Sequence, residues 1–435
     1  MKRQVTLLLA VALATLSIAG LVPTRTLAQS VTITLAAVQG VEDQGVKAAI
    51  PDWESKTGNK VELVELPYAN LQDKVFTDAQ SAAGSYDAIF IDDPWMPFLA
   101  SNNYLTALDT LNYKPDSDFV QKSLDVSSWP PPSGPRLPGT AKDATPKLYA
   151  VPALGNVQLF WYRKDILTTP PATLQDMMAA VTKLTDASKS IYGYTVRGAQ
   201  GNPVVTDWNA WNWSEGGDIF DDNWNVIVNG PKSVQALTDM LAMAKISPPG
   251  VANADANEQA VALLNGSTMA GIIWPAFNAQ IDDATKSKVS GKIAVVQFPK
   301  GEKQTSQMGN WLLGIPTAAK NKAAALDFIT YVTSAAVMKT SVMRTGVPPT
   351  RTSVFNDPDL VKKYWWQPVN LAALKVATWR PRLPEWSKVE SILGTHLSQA
   401  VAGDVDAKAA LDAAAKEITD VMTQAGYYSA ATKAP

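Results

Sequence analysis

Cysteine is absent from the 435 residues of this chain, and histidine occurs once, as His396. Without cysteine no disulfide can form, and we expect no lipoprotein, since the lipid of that class is carried on a cysteine. Zinc and other transition metals usually need several cysteine or histidine ligands, so we expect neither a metal nor another cofactor. His396 falls on an apolar stripe with helical spacing, which favours a packed helix face over a Ser-His-Asp catalytic role.

The chain also lacks a large excess of either charge. Its 38 Lys and Arg residues oppose 40 Asp and Glu residues, which gives a net charge of −2. Loss of Lys2, Arg3 and Arg25 with a leader would leave 35 basic against 40 acidic residues, or −5. This balance argues against nucleic acid or an anionic membrane surface as a partner.

A long apolar run occurs only at the N-terminus. Residues 5–22 are almost wholly apolar, Lys2 and Arg3 precede them, and small residues stand at both cleavage positions of 26–28. We predict a signal peptide over residues 1–28 and a mature protein free in the periplasm. An uncleaved membrane anchor is the alternative, because the run approaches the ~20 residues of a spanning helix.

Strand and helix patterns alternate along the mature chain. We predict strands at residues 31–37, 61–66 and 88–91, with helices at 45–57 and 71–82. A further short strand is predicted at 192–196. This alternation predicts an α/β architecture with a parallel or mixed sheet. Ligands of such sheets bind at the carboxyl ends of strands, where Gln39, Tyr68 and the pair Asp92-Asp93 stand.

Two breaks divide the chain into sections. Residues 128–146 are rich in proline and glycine and are typical of a surface loop at a domain boundary. A second alternating section follows, and a third begins near residue 307 and ends in helices predicted at 387–402 and 407–424. About 400 mature residues suffice for two domains.

The adjacent carboxylates of Asp92 and Asp93 are a weak signal for catalysis. Neighbouring side chains of a strand point to opposite faces, whereas a glycosidase pair must face one bond from two elements. A helix cap explains one carboxylate better, because Pro94 suits the first position of a helix. We predict that one aspartate caps this helix and that the other lines a cleft.

Tryptophan is abundant, with 14 residues. Trp208 and Trp211 lie in a polar segment with poor apolar periodicity, which does not indicate a core helix. Trp274 and Trp311 each flank a predicted strand end. Indole rings beside polar side chains suit sugars, whose C–H faces stack on aromatic rings while their hydroxyl groups need hydrogen-bonding partners. Each tryptophan alone is more often a packing residue, and the set is the better evidence.

Five segments occur in an order that is typical of one family. They are SYDAIFIDDPWMPFLASNNYLTALD, KLYAVPALGNVQLFWYRKDIL, LLNGSTMAGIIWPAF, FPKGEKQTSQMGNWLLGIPTAAKNKAAALDFITYVTS and RPRLPEWSKVESILGTHLSQAVAG. In these segments the chain resembles the family 1 extracellular solute-binding proteins that deliver carbohydrates to ABC importers, such as maltose- and trehalose-binding proteins. It departs from the family at Arg163, where asparagine is usual, and at Asn310, where a second glycine is frequent.

The resemblance implies a type II periplasmic-binding-protein fold, with two discontinuous α/β lobes, a hinge and an inter-lobe cleft. The expected first lobe comprises residues 29–146 and 304–345, and the second comprises 147–303 and 346–435. The resemblance further implies a monomer that docks on permease subunits of the inner membrane. The residues implied to face the sugar are Gln39, Tyr68, Asp92 or Asp93, Gln158, Trp208 or Trp211, Trp274, Asn310, Trp311, Arg351 and Arg380.

Two other functions remain open at this point. Tryptophan with aspartate also makes a cation–π cage, which would suit a polyamine. Arg351 and Arg380 would instead favour an anionic sugar derivative. The alternative for these two arginines is that they form surface ion pairs. An exported carbohydrate-active hydrolase or lyase is the alternative of another class. The adjacency of the two aspartates and the family pattern favour a binding protein that is not an enzyme.

Overall fold

Ten strands and sixteen α-helices occur in residues 30–141 and 143–428, which are the residues described by the computed structural model. The strands are β1 (Thr32–Val38), β2 (Lys60–Leu66), β3 (Ala88–Asp92), β4 (Ser128–Trp129), β5 (Lys147–Leu148), β6 (Ala150–Leu154), β7 (Leu159–Arg163), β8 (Ala270–Ile273), β9 (Ile293–Gln297) and β10 (Trp311–Gly314). The predicted signal peptide lies outside the described residues.

The helices connect and cover these strands. They are α1 (Gln44–Lys47), α2 (Ile50–Thr57), α3 (Tyr68–Ser81), α4 (Met96–Ser101), α5 (Gln121–Val126), α6 (Leu174–Lys183), α7 (Asn202–Ser214), α8 (Pro231–Ala244), α9 (Ala256–Leu264), α10 (Lys322–Val332), α11 (Ala335–Thr345), α12 (Thr352–Phe355), α13 (Pro358–Lys363), α14 (Gln367–Val376), α15 (Trp386–Ala402) and α16 (Ala407–Gln424). None of these helices is both long enough and apolar enough to span a bilayer.

A five-stranded mixed sheet has the order β2-β1-β3-β10-β6. Strands β2 and β3 run parallel to β1, whereas β10 is antiparallel to both β3 and β6. Every residue of β3 is buried, as expected for a strand with elements packed on both faces. The carboxyl ends of β1, β2 and β3 therefore meet at one edge of the sheet, and the first residue of β10 lies at the same edge.

A second, antiparallel sheet has the order β8-β7-β9. Its central strand carries the bulky sequence LFWYR, and its first four residues are buried. The two short strands β4 and β5 pair with each other at the ends of the proline-rich stretch, which is thereby closed into a long loop.

Helix α7 differs from the expectation for its segment. The polar sequence did not indicate a core helix, yet all residues from Val204 to Ser214 are buried. Helices α8 and α15 pack against α7, so the helix needs no polar outer face and shows no amphipathic period. Among its polar side chains, Asn209 donates from Nδ2 to Gln307 Oε1 over 3.0 Å.

Three further elements depart from the predicted pattern. The helix predicted at 45–57 is divided into α1 and α2, and Pro51 stands near the start of α2, where its missing N–H costs no hydrogen bond. The segment 192–196 forms one isolated bridge, between Tyr192 and Thr268, rather than a strand. Strand β6, which the expected boundaries assigned to the second lobe, pairs with β10 in the five-stranded sheet.

The carboxyl-terminal helices α15 and α16 pack against each other. Gly403 ends α15 with φ of 88°, a left-handed conformation that glycine adopts without steric cost. His396 Nε2 on α15 lies 2.9 Å from Glu417 Oε1 on α16. This histidine therefore joins two packed helices.

Candidate functional site

A cleft with a volume of about 620 Å³ lies at the strand-end edge of the five-stranded sheet. Gln39 follows β1, Tyr68 follows β2, Asp92 ends β3 and Trp311 begins β10. The antiparallel register places Trp311 directly opposite Asp92. The topology of the sheet therefore brings these four side chains to one wall of the cleft.

Side chains from the region of the second sheet form the facing wall. Arg197 lies in the loop before α7, Asn202 begins that helix, and Asp255 precedes α9. Trp274 follows β8 directly, and Glu390 projects from α15. The cleft is thus lined from both sheets and from the amino-terminal ends of two helices.

Packing holds the two tryptophans of the cleft in place. The ring of Trp311 stacks on Phe90 at a centroid distance of 5.0 Å and meets Trp95 edge-on at 5.8 Å. Trp274 lies against Gly309, where a Cβ atom would come within 2.6 Å of the indole ring. A side chain at position 309 would therefore displace Trp274, which explains the glycine at this position.

Arg380 is buried and binds the aspartates at the end of β3. Its Nη1 lies 3.0 Å from Asp92 Oδ2, and its Nη2 lies 2.7 Å from Asp92 Oδ1 and 3.2 Å from Asp93 Oδ2. The hydroxyl of Tyr68 donates to Asp92 Oδ2 over 2.8 Å. Bidentate pairing of this kind fixes orientation as well as charge. Asp92 is consequently held rigidly at the floor of the cleft.

Neither aspartate caps a helix, contrary to the sequence prediction. Asp92 ends β3, a 3-10 turn follows at Asp93–Trp95, and α4 begins only after that turn. No side-chain cap hydrogen bond forms at the start of either element. Because the strand stops at Asp92, strand alternation does not separate the two carboxylates, and both reach Arg380.

Asp93 lies behind the cleft rather than in it. Its carboxylate is fully buried, accepts the backbone N–H of Asn310 over 3.1 Å and lies 3.6 Å from Arg382. Burial raises the pKa of Asp93 to about 6, whereas the nearby Arg380 lowers it. This aspartate supports Arg380 and the turn from beneath.

A second ion pair lies on the facing wall. Arg197 Nη2 and Nε lie 2.7 and 3.1 Å from Asp255 Oδ1, and Arg197 Nη1 donates to Thr206 Oγ1 over 2.8 Å. Sequence reasoning missed both members of this pair. The sequence did contain a pattern that could have identified Asp255. Asp255 and Glu258 form the capping box that begins α9, and the amino-terminal ends of helices are common at ligand clefts.

Two glutamates of the cleft were also missed. Burial raises the pKa of Glu390 to about 7, and Asn202 Nδ2 donates to its Oε1 over 3.1 Å. Burial likewise raises the pKa of Glu42, in the loop after β1, to about 7. Glu390 lies within the apolar stripe of α15, where a buried glutamate has no sequence signature.

Hydrogen bonds cross the mouth of the cleft. Gln72 Nε2 on α3 donates to Ser387 Oγ on α15 over 2.8 Å. Asn202 Nδ2, which binds Glu390, also lies 3.4 Å from the hydroxyl of Tyr68. These contacts join the two walls directly.

Six of the predicted site residues line this cleft, and six do not. Those that line it are Gln39, Tyr68, Asp92, Trp274, Trp311 and Arg380. Those that lie elsewhere are Asp93, Gln158, Trp208, Trp211, Asn310 and Arg351.

The contacts of the other residues explain why their side chains do not line the cleft. Trp208 and Trp211 fill the core around α7. Gln158 is fully buried, and the side chain of Asn310 turns away to donate to Ser123 Oγ over 2.7 Å.

Arg351 belongs to a separate polar cluster. Its Nη1 lies 2.7 Å from Asp116 Oδ1, its Nε donates to the carbonyl of Thr333, and its guanidinium carbon lies 3.9 Å from the ring centroid of Phe119. The charge and the donors of Arg351 are therefore satisfied away from the cleft.

The family model described as bacterial extracellular solute-binding protein matches residues 37–339, which is more than half of the chain. The protein belongs to this family. Membership places this solute-binding protein outside the cytoplasm and confirms the resemblance that the five segments carry.

Known relatives and one solved structure cover most of this solute-binding protein. A probable amino-acid ABC transporter periplasmic-binding protein of Sinorhizobium fredii is 25% identical over 91% of this chain and 90% of its own. The mannitol-binding protein of Pseudomonas aeruginosa is 28% identical over 64% of this chain and 70% of its own. A solute-binding protein of Agrobacterium radiobacter, solved in complex with ribitol, has a TM-score of 0.80 at 25% identity and covers 90% of this chain and 98% of its own. The two-lobed α/β fold is thereby confirmed.

Proposed function

We propose that this solute-binding protein is the periplasmic binding component of an ABC importer and that it takes a carbohydrate, such as a monosaccharide, a disaccharide or a related polyol. The observation that carries this proposal is the pairing of Trp274 and Trp311 with a hydrogen-bonding floor in one cleft. Its volume of about 620 Å³ falls within the ~300–1,000 Å³ usual for small-ligand sites.

The chemistry of the lining suits a polyhydroxylated solute. Indole faces accept the C–H surface of a sugar or polyol, and the fixed carboxylate of Asp92 accepts hydrogen bonds from its hydroxyl groups. Asn156, Gln39 and Ser387 add neutral donors and acceptors to the lining. The names of the Pseudomonas relative and of the ribitol complex, both concerned with linear polyols, agree with this chemistry.

The charges of the cleft argue against an anionic solute. The name of the Sinorhizobium relative refers to amino acids. An amino acid or a sugar acid would need an unpaired cationic side chain in the cleft to bind its carboxylate. Both arginines of the cleft are already paired, Arg197 with Asp255 and Arg380 with Asp92. A neutral sugar or polyol requires no such cation.

We further propose that the protein binds without turnover. Asp92 is locked by Arg380 and Tyr68, so it has little freedom to act as a nucleophile or as a general base. The proposal also includes removal of the signal peptide over residues 1–28, which leaves a periplasmic monomer without a lipid anchor. When the lobes close on the ligand, this monomer docks on the permease subunits.

The decisive experiment is a titration of the mature protein with a panel of ligands. Intrinsic tryptophan fluorescence would be followed for monosaccharides, disaccharides, polyols, sugar acids, amino acids and polyamines, and each hit would be measured by calorimetry and tested for hydrolysis. Saturable binding of an intact sugar or polyol supports the proposal. Binding of amino acids alone, or turnover of a glycoside, overturns it.

A further inference from the structure

Acidic groups outnumber basic groups in the cleft. The charged lining residues are four carboxylates and two guanidinium groups, namely Glu42, Asp92, Asp255, Glu390, Arg197 and Arg380. Each arginine has an aspartate as its close partner. The two glutamates remain as the surplus negative charge of the lining.

The two glutamates differ in how far that surplus is compensated. Glu390 accepts a hydrogen bond from Asn202 and lies 3.7 Å from Arg380. Glu42 accepts a hydrogen bond from its own backbone N–H, and within the described part of the chain it takes part in no ion pair. Glu42 is therefore the carboxylate of the cleft that most lacks a counter-charge.

The surroundings of Glu42 make its charge unfavourable. Burial raises its pKa to about 7, Asp255 and Asp92 act in the same direction, and Arg197, already paired, opposes them. A carboxylate in such a place gains most from a cation that enters the cleft. The indole faces of Trp274 and Trp311 add a second attraction for a cation, since an aromatic ring is negative on its face.

We propose that the natural solute is a polyhydroxylated compound that carries a protonated amino group, such as an amino polyol or amino sugar, and that Glu42 supplies the counter-charge. This inference rests on the proposed function and narrows its ligand class. The hydroxyl groups bind to the Asp92 side of the cleft, the C–H surface stacks on the tryptophans, and the ammonium group lies at Glu42. An uncharged solute leaves Glu42 without a partner.

The test compares two ligands that differ in one group, D-sorbitol and 1-amino-1-deoxy-D-sorbitol. The alkylamine remains protonated at about pH 8, as a lysine does, and Glu42 is ionised there. Calorimetry at this pH is expected to give at least about tenfold tighter binding of the amine, as one partly buried charge pair supplies. The ratio of the two affinities is expected to fall as the pH is lowered to about 6, because Glu42 takes up a proton.

Two variants locate the effect. Glu42→Gln is expected to reduce the affinity ratio towards one, whereas Glu62→Gln, the same change at an exposed position of β2, is expected to leave the ratio unchanged. Circular dichroism would check the fold of both variants, and the pH series on the unmodified protein tests the inference without any mutation.

The outcomes separate the inference from the proposed function. The inference is overturned if the amine binds no more tightly than D-sorbitol at about pH 8. It is also overturned if the ratio of the two affinities does not change with pH. The protein would then be a binding protein for neutral polyols. A ratio retained in Glu42→Gln overturns the role of Glu42. Failure of every sugar, polyol and amine in the panel to bind overturns the proposed function itself.

Discussion

Individual residues of the cleft have different roles, and substitution of Trp274 tests most directly whether the ligand stacks on an indole ring. Its ring lies against Gly309 and lines the cleft, whereas Trp311 is also packed by Phe90 and Trp95. We expect Trp274→Ala to weaken ligand binding by roughly a hundredfold, since a buried aromatic contact contributes about 2–3 kcal/mol. Calorimetry measures this change.

Trp311→Ala serves as the comparison. It should also weaken binding, but it removes a core side chain and should cost about 3–5 kcal/mol of unfolding free energy. Unchanged affinity in Trp274→Ala would remove that ring from the site.

Arg380 is predicted to stabilise the fold as well as the cleft. Arg380→Met leaves Asp92, Asp93 and Glu390 buried without their shared counter-charge, which typically costs about 3–5 kcal/mol. Urea unfolding should show this loss, and the loss should shrink at lower pH as the carboxylates take up protons. The exposed pair of Arg344 with Asp52 provides the control, and Arg344→Met should cost less than about 1 kcal/mol.

Glu390 should make stability depend on pH in a defined direction. Its pKa is about 7 in the folded protein and lower, at 4.5, in an ordinary glutamate. Between these values the folded state holds the extra proton, so the contribution of Glu390 to stability falls as the pH rises through this window. The stability of the unmodified protein relative to Glu390→Gln should therefore decrease from about pH 5 to about pH 8. A flat or rising difference in urea unfolding would contradict the assigned pKa.

At the scale of secondary-structure elements, α3 and α15 meet across the mouth of the cleft. The hydrogen bond between Gln72 and Ser387 exists only when the two walls are close together. We expect Gln72→Ala to weaken ligand binding about fivefold, because one hydrogen bond of about 1 kcal/mol is lost from the closed form.

Small-angle scattering of the ligand-free variant should show a larger mean radius of gyration than that of the unmodified protein. Gln235→Ala on α8 is the matched control, because within the described residues the side chain of Gln235 donates to Asp239 of the same helix and to no other element. An effect of equal size in both variants would refute the bridging role.

The elements also show what a sequence can predict. Helix α16 has the predicted bounds, and α15 begins one residue earlier than predicted, because their apolar stripes repeat with the helical period. Helix α7 escaped prediction because it is buried on all sides and has no stripe. Apolar periodicity arises when one face of a helix contacts the core and the other contacts solvent, and α7 has no solvent-facing side.

The same reasoning explains which parts of the site were predictable. The strand-end positions Gln39, Tyr68 and Asp92 follow from the alternation of strands and helices. The facing wall depends on distant pairings, such as Arg197 with Asp255, 58 residues apart. Arg380 was named as a candidate, but its partner Asp92 lies 288 residues away, and no local pattern connects the two.

At the scale of the whole molecule, the cleft makes ligand binding and folding a single equilibrium. Both walls must be folded to form the site, so the ligand should bind the native state and not the unfolded chain. A true ligand at a hundred times its dissociation constant should add about 2.7 kcal/mol to the unfolding free energy. Calorimetric melting should show this as a rise in Tm, and a binding compound that leaves Tm unchanged would contradict selective binding to the native state.

The lack of cysteine, together with the close approach of Gln72 and Ser387, gives this protein a practical use. Thiol reagents have no native site to modify, so cysteines introduced at these two positions would be the only reactive groups. A donor and an acceptor dye attached there would report the separation of the lobes through energy transfer. The protein is thus suited to serve as an optical sensor of its own solute.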